Sequence, residues 1–211
     1  MSVTARSIHR RGPVAAVVAL AIAASGCGKY VRDQGTAPAQ VVILQLQAAS
    51  GASPSQFGVP LSSGVITNVT KPAACACTFD DLGQVTMELI LKDPGQAGTQ
   101  ASPTALNQVT FDRYHVEYVR SDGKNTEGID VPYAFDSAVT FTVPSSGSVT
   151  QGFELVRNTA KHEAPLLALQ TNHEIITTIA NVTFYGHDQA GNAVTATGSI
   201  QVNFGDFADP S

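Results

Sequence analysis

Val194-Thr-Ala-Thr-Gly-Ser-Ile-Gln-Val-Asn-Phe204 alternates without a break. Val194, Ala196, Gly198, Ile200, Val202 and Phe204 share one parity, and Thr195, Thr197, Ser199, Gln201 and Asn203 share the other. Successive side chains of a strand point to opposite faces, so this period of two predicts a strand with one dry and one wet face. A single covered face belongs to antiparallel sheet packed on one side. Just upstream, Thr177–Tyr185 (TTIANVTFY) predicts the partner strand. Gly186–Asn192 (GHDQAGN) supplies the Gly, Asp and Asn of the turn between them.

The same pattern recurs towards the N-terminus. Ala138–Val143 (AVTFTV) alternates, and Val149–Val156 is expected to pair with it across the Pro144-Ser-Ser-Gly147 turn. In Val109–Arg120 (VTFDRYHVEYVR), Val109 and Phe111 hold one parity while Tyr114, Val116 and Tyr118 hold the other. That switch predicts a β-bulge near Asp112-Arg113. Gln84–Lys92 (QVTMELILK) puts Val85, Met87, Leu89 and Leu91 on one side, and Val65–Val69 predicts a short strand. Val41–Gln47 (VVILQLQ) predicts the first strand, with Val42, Leu44 and Leu46 on one face. Ala48–Pro60, Asp93–Thr104 and Ser121–Pro132 read as loops. Ala164–Gln170 reads as a turn or two of helix opened by Pro165, or as a linker across one end. Eight or nine short strands separated by turn residues, with no sustained 3.6-residue period, predict an all-β chain built as an antiparallel sandwich or barrel.

Asp188-Gln-Ala-Gly-Asn192, at the tip of the terminal hairpin, resembles the D-x-x-G-N turn between the last two strands of bacterial immunoglobulin-like domains. The resemblance covers that hairpin alone. It implies an immunoglobulin-like β-sandwich, elaborated here with extra strands and loops. The Cys…Trp…Cys framework of antibody domains is missing, since the chain has no Trp. One sandwich over residues 41–208 is expected, because neither a Pro-rich linker nor a repeat divides the middle.

The N-terminus breaks the pattern. Met1–Gly12 carries Arg6, Arg10 and Arg11 and no acidic residue, Pro13–Ala24 is an apolar run of 12 residues, and Ser25, Gly26 and Cys27 follow. A basic start, a short apolar centre and small residues at a cut site make the secretory signal pattern. The run is shorter than the about 20 apolar residues that span a bilayer. Ala24-Ser25-Gly26-Cys27 resembles the lipobox of bacterial lipoproteins, with Ala24 where that family usually has leucine. The resemblance implies diacylglyceryl transfer to the Cys27 thiol and cleavage before it, and two or more acyl chains anchor a protein durably. Gly28 stands where an aspartate favours inner-membrane retention in such lipoproteins of diderm bacteria, which points to the outer membrane. Residues 1–26 are therefore expected to be a signal peptide and residues 27–40 a flexible tether.

Cleavage would take the basic count from 12 to nine against 17 acidic residues, a net charge of −8. So acidic a surface argues against nucleic acid, whose binding rests on phosphate neutralisation, and against electrostatic docking on anionic lipid.

With Cys27 acylated, Cys75 and Cys77 remain, an even pair that permits one disulfide in an exported chain. A local structural bridge is the expectation. The competing readings are a reducible redox pair and two ligands of a zinc site, for which His115, His162, His173 and His187 lie at no ligand spacing. Asp122, Asn125, Glu127 and Asp130 offer oxygen atoms to a calcium ion but miss the EF-hand spacing, and turn formation explains them equally well. The same applies to Asp188 and to Asp206 and Asp209. Tyr114, His115 and Tyr118 read either as a surface binding strip or as the two faces of an ordinary strand. G-x-S-x-G, H-E-x-x-H, P-loop and G-x-G-x-x-G motifs are all missing. No catalytic residue, metal or cofactor is therefore assigned.

The expected function is a lipid-anchored envelope protein, not an enzyme, held to the membrane through Cys27 and contacting an envelope protein or an external ligand. The alternatives are a redox or metal-handling protein using Cys75 and Cys77, or an accessory domain of an envelope hydrolase.

Overall fold

The computed structural model describes residues 36–70 and 74–207. Strands take up 53% of these residues and helices 7%, so the described part of the chain is all-β. The strands are β1 (Ala39–Ala49), β2 (Leu61–Gly64), β3 (Thr67–Val69), β4 (Cys75–Cys77), β5 (Asp81–Leu91), β6 (Val109–Val119), β7 (Phe135–Val143), β8 (Ser148–Val156), β9 (Ile176–Asp188) and β10 (Ala193–Gly205). A 3-10 turn (Ala105–Asn107) and two one-turn helices, α1 (Asn158–Lys161) and α2 (Leu166–Leu169), complete the elements of the described residues. A three-stranded antiparallel sheet has the order β1-β5-β8. A five-stranded sheet has the order β2-β10-β9-β6-β7 and is antiparallel except for β2, which runs parallel to β10. β3 and β4 form a separate ribbon.

The alternating run in β10 performs as its pattern demands. Val194, Ala196, Ile200, Val202 and Phe204 are buried, while Thr195, Thr197, Ser199 and Gln201 are exposed. Gly198 interrupts the apolar parity for a steric reason: a Cβ there would sit 3.0 Å from Ile43 and 3.1 Å from Leu46 of β1. One continuous core joins the dry parities of both sheets, among them Val85, Met87 and Leu89 of β5 and Ala180, Val182 and Phe184 of β9. Its centre is aromatic. Phe184 meets Phe153 of the other sheet edge-on, with ring centroids 5.3 Å apart, a favoured geometry for such pairs. Gly186 lets β9 run close to β6, since a Cβ there would fall 2.2 Å from the Thr110 carbonyl oxygen.

The β6 bulge lies where the parity switch put it. Pairing with both β7 and β9 slips between Phe111 and Arg113, and Tyr114, Val116 and Tyr118 return to the core. This buries both tyrosines, so they form no surface strip with His115, which lies on the opposite face.

Several expectations need correction. β8 pairs with β5 rather than with β7; the Pro144–Gly147 turn carries the chain from one sheet to the other. Leu44 is 54% exposed, because a second bulge between Ile43 and Gln45 makes Val41, Ile43 and Leu46 the inward set in place of Val42, Leu44 and Leu46. Of the expected Val65–Val69 strand, only Thr67–Val69 is strand, as β3, while Val65 is a buried link after β2. β1 starts at Ala39, two residues before the expected strand, and Ala37 ahead of it is buried. Asn158–Lys161 is a helical turn the pattern did not suggest.

The two ends of the molecule differ. β1 starts where β5 finishes, with Ala39 opposite Leu91, so the chain enters at this end. At the far end β5 begins, with Asp81 opposite Val156, and β6 finishes, with Val119 opposite Ile179. The β6–β7 loop, the crossover holding α1 and α2, and the end of β10 all gather there.

Candidate functional site

The far end is fastened around Asp81. This carboxylate is fully buried and accepts hydrogen bonds from the Gly51 N–H at 2.8 Å and the Ser63 hydroxyl at 2.5 Å. Lys161 Nζ, itself 1% exposed, lies 3.0 Å from Oδ2. Four segments distant in sequence thus meet on one side chain: the loop after β1, β2, the start of β5 and α1. Burial pushes the Asp81 carboxyl above its usual range, against the lowering effects of Lys161, Ser63 and Gly51. Neighbouring groups hold the crossover in place. Asp80 accepts from the Asn158 N–H at 2.6 Å, at the start of α1. Gln170 Nε2 donates to the carbonyls of Lys161 at 2.9 Å and Val65 at 3.3 Å.

Two tyrosines of β6 tie the sheets together beside this cluster. Tyr118 donates to the Leu155 carbonyl at 2.6 Å, and Tyr114 donates to the Glu154 carbonyl at 3.0 Å and accepts from the Glu154 N–H. β8 is irregular there, since its pairing with β5 slips between Asp81 and Leu82. The phenols satisfy backbone groups next to the slip, as buried carbonyls require. Burial raises the pKa of both, most of all Tyr118.

On the wet face of the five-stranded sheet, the β6 bulge opens a shallow groove lined by Asp112, Arg113, Asp136, Ser137 and Ala138. Arg113 reaches Asp136 at 3.1 Å and stacks 4.2 Å over Tyr185. His115 Nδ1 lies 3.3 Å from the other Asp136 oxygen. Half-exposed pairs of this kind contribute about 0–1 kcal/mol, so the cluster shapes a polar surface more than it stabilises the fold. A second groove at the far end is lined by small and polar side chains, including Ser50, Ser53, Gln56 and Ser62.

The residues singled out in the sequence scatter. Cys27 and Asp209 lie outside the described residues. Cys75 and Cys77 are bridged across a Cα separation of 5.4 Å within β4, Cys75 exposed and Cys77 half-buried. Thr78, next in the chain, bonds His162 Nε2 at 2.8 Å, which brings one histidine near the bridge. The oxygen atoms of the 121–132 loop serve the loop's own backbone. Asp122 accepts from Lys124 N–H and pairs with Arg120, Asn125 accepts from Arg120 N–H, Glu127 from Ala134 N–H and Asp130 from Thr126 N–H. Asp188 is buried under its own turn and accepts from the Ala190 N–H, the Asn192 N–H and the Asn192 amide, all within 2.8–2.9 Å. Burial opposes these bonds, but together they hold its pKa below the usual value. This gives the D-x-x-G-N turn a physical reason: Asp188 and Asn192 close it while Gly191 takes a positive φ of 85°. Among the described residues, no three His, Cys, Asp or Glu side chains gather as a metal site.

The Asp81–Lys161–Ser63 cluster carried no signal in sequence. Asp80-Asp81 looks like a polar approach to a strand, and Lys161-His162-Glu163 like a solvated stretch. No protein-family model matches the sequence, and no curated protein matches it.

Proposed function

We propose that the chain is a cell-envelope lipoprotein, anchored through acylated Cys27 and placed at the outer membrane, whose β unit is a binding or structural module without catalysis. Its immunoglobulin-like reading rests on two sheets around a shared core and on the Asp188–Asn192 turn. The observation that carries the binding role is the far end. Ile129, Tyr133, Leu167 and Ile175 are 48–69% exposed there, at the end opposite the start of β1, and the buried cluster holds the crossover that carries Leu167 and Ile175. Exposed apolar side chains on loops over a rigid scaffold are the usual material of recognition. The polar groove at the β6 bulge is a side surface by comparison.

Intact mass of protein extracted from its native membrane tests the anchor. The reading expects residues 27–211 plus acyl chains, and a Cys27→Ser chain released into the soluble fraction. An unacylated or uncleaved chain in the membrane would sink it. For the binding role, photo-crosslinking residues placed at Ile129 or Ile175 should capture an envelope protein, while the same residue at Thr197 on the wet face should not. The redox alternative has one observation in its favour, the exposed Cys75–Cys77 bridge near His162. Turnover of a dithiol substrate that is lost in Cys75→Ser would support it.

A further inference from the structure

We infer that the outer edge of β8 is where a second copy of this chain adds its own β8, antiparallel, about a two-fold axis through Thr150. The two main sheets end in four edge strands, β1 and β8 in one and β2 and β7 in the other. A bare edge invites strand pairing, and proteins blunt it with shortness, bulges, charges or cover. β2 has four residues. β1 is bulged between Ile43 and Gln45 and is bridged by Gly58 at Ala48. β7 slips register against β6 and holds the exposed Asp136. β8 carries none of these devices. It pairs with β5 in unbroken register from Leu82 opposite Glu154 to Glu88 opposite Ser148, and residues 148–153 include neither a proline nor a charge.

Hydrogen bonds show which backbone groups of β8 face outward. The Glu154 N–H donates to the Tyr114 hydroxyl at 3.2 Å, and the Glu154 carbonyl accepts from that hydroxyl at 3.0 Å. An N–H engaged in this way points away from β5. Alternate residues of an antiparallel strand aim at the same neighbour, so Gly152, Thr150 and Ser148 also turn their N–H and C=O to the open side. The Gly152 carbonyl agrees, since it accepts from the Gln151 side-chain amide at 2.8 Å. So does the 2.9 Å contact between the Thr86 and Thr150 hydroxyls, which suits the close, non-hydrogen-bonded kind of pair. Ser148, Thr150 and Gly152 are all exposed. A two-fold axis at Thr150 sets Ser148 opposite Gly152 of the second copy and Thr150 opposite Thr150, each pair exchanging N–H···O=C bonds. The Gly152 carbonyl has a second lone pair for its share. Pairing ends where Tyr114 occupies both backbone groups of Glu154. No charged residue occurs from Ser137 to Phe153, so two copies of an acidic chain, net charge −5, meet here without like charges opposed. The same patch serves both copies, as a closed two-fold interface requires, and one sheet would run through the dimer in the order β1-β5-β8-β8-β5-β1.

The test uses the full chain with Cys27→Ser, so that Thr150→Cys supplies the one free thiol beside the bridged Cys75 and Cys77. Under mild oxidation Thr150→Cys should convert to a disulfide-linked dimer of twice the mass. The Cα atoms of such a facing pair lie about 5.5 Å apart, within bridging reach. Thr140→Cys on the β7 edge and Thr197→Cys on the wet face should stay monomeric. In analytical ultracentrifugation the chain without an added cysteine should sediment as a dimer. Thr150→Pro removes an N–H turned away from β5, and should weaken dimerisation by about tenfold or more with an unchanged circular dichroism spectrum. Should that variant fail to fold, Thr150→Lys opposes two like charges across the axis and should give the same loss. A monomer at every concentration, a dimer indifferent to the Thr150 variants, or Thr140→Cys crosslinking as fast as Thr150→Cys would overturn the inference. So would Thr150→Cys linking in cells to another protein and not to a copy of itself.

Discussion

β9 and β10 face one another residue for residue, from His187 opposite Ala193 to Ile176 opposite Phe204. Around Asp81, by contrast, four segments that are neighbours only in space converge on a single carboxylate. The hairpin spreads its stability over many modest contacts: alternating burial, cross-strand threonine pairs and a self-capped turn. The far end concentrates its stability in one buried charge pair and two phenols. A structure held by many small terms loses little when one is removed, whereas one held by a few buried polar groups fails locally when any partner goes. Of the segments proposed to bind a partner, the crossover carrying Leu167 and Ile175 sits on the second kind of support.

The largest effect should come from breaking the buried pair. Lys161→Met leaves Asp81 without its cation in the core and should cost about 3–5 kcal/mol, read as a lowered urea midpoint. Asp81→Leu combined with Lys161→Met should cost less than either single change, because no lone charge remains. Next is Tyr118→Phe, which takes the hydroxyl from the buried Leu155 carbonyl and should cost about 1–3 kcal/mol with little change at the hairpin.

The turn gives a pH-dependent contrast. The Asp188 pKa is depressed in the folded state, so its contribution is present above the unfolded carboxylate value of about 3.9 and is lost as pH falls through the folded value. Asp188→Asn should therefore be less stable than the parent at neutral pH, and this deficit should shrink as the pH drops below about 4. Urea titrations at both pH values check it. The smallest effect should be Thr197→Ala, which removes a 3.1 Å hydroxyl contact with Thr183 on the wet face. A cross-strand pair of this kind contributes about 0.2–1 kcal/mol.

The same contrast explains what the sequence revealed. Elements whose pattern is local could be read directly. β10 announces itself by parity, and the β6 bulge by the switch from Val109 and Phe111 to Tyr114, Val116 and Tyr118. The bulge at Leu44 could not be read, because Val41-Val42-Ile43-Leu44 is apolar at every position and hides the change of face. The Pro144–Gly147 turn signals a reversal but not whether the next strand returns to the same sheet. Leu61-Ser-Ser-Gly64 has too little pattern to show a strand at all, and its partner is the last strand of the chain. Lys161 was illegible for a related reason. A lysine on a single helical turn looks solvated until the fold brings a buried carboxylate to it.

Native-state hydrogen exchange on Lys161→Met, compared with the parent, tests most directly whether one buried cluster holds the far end independently of the hairpin. The account predicts a large loss of protection in residues 50–64 and 157–170, with β9 and β10 close to parent values from Phe184 to Ala196. Equal loss of protection across both regions, or none at the far end, would contradict it.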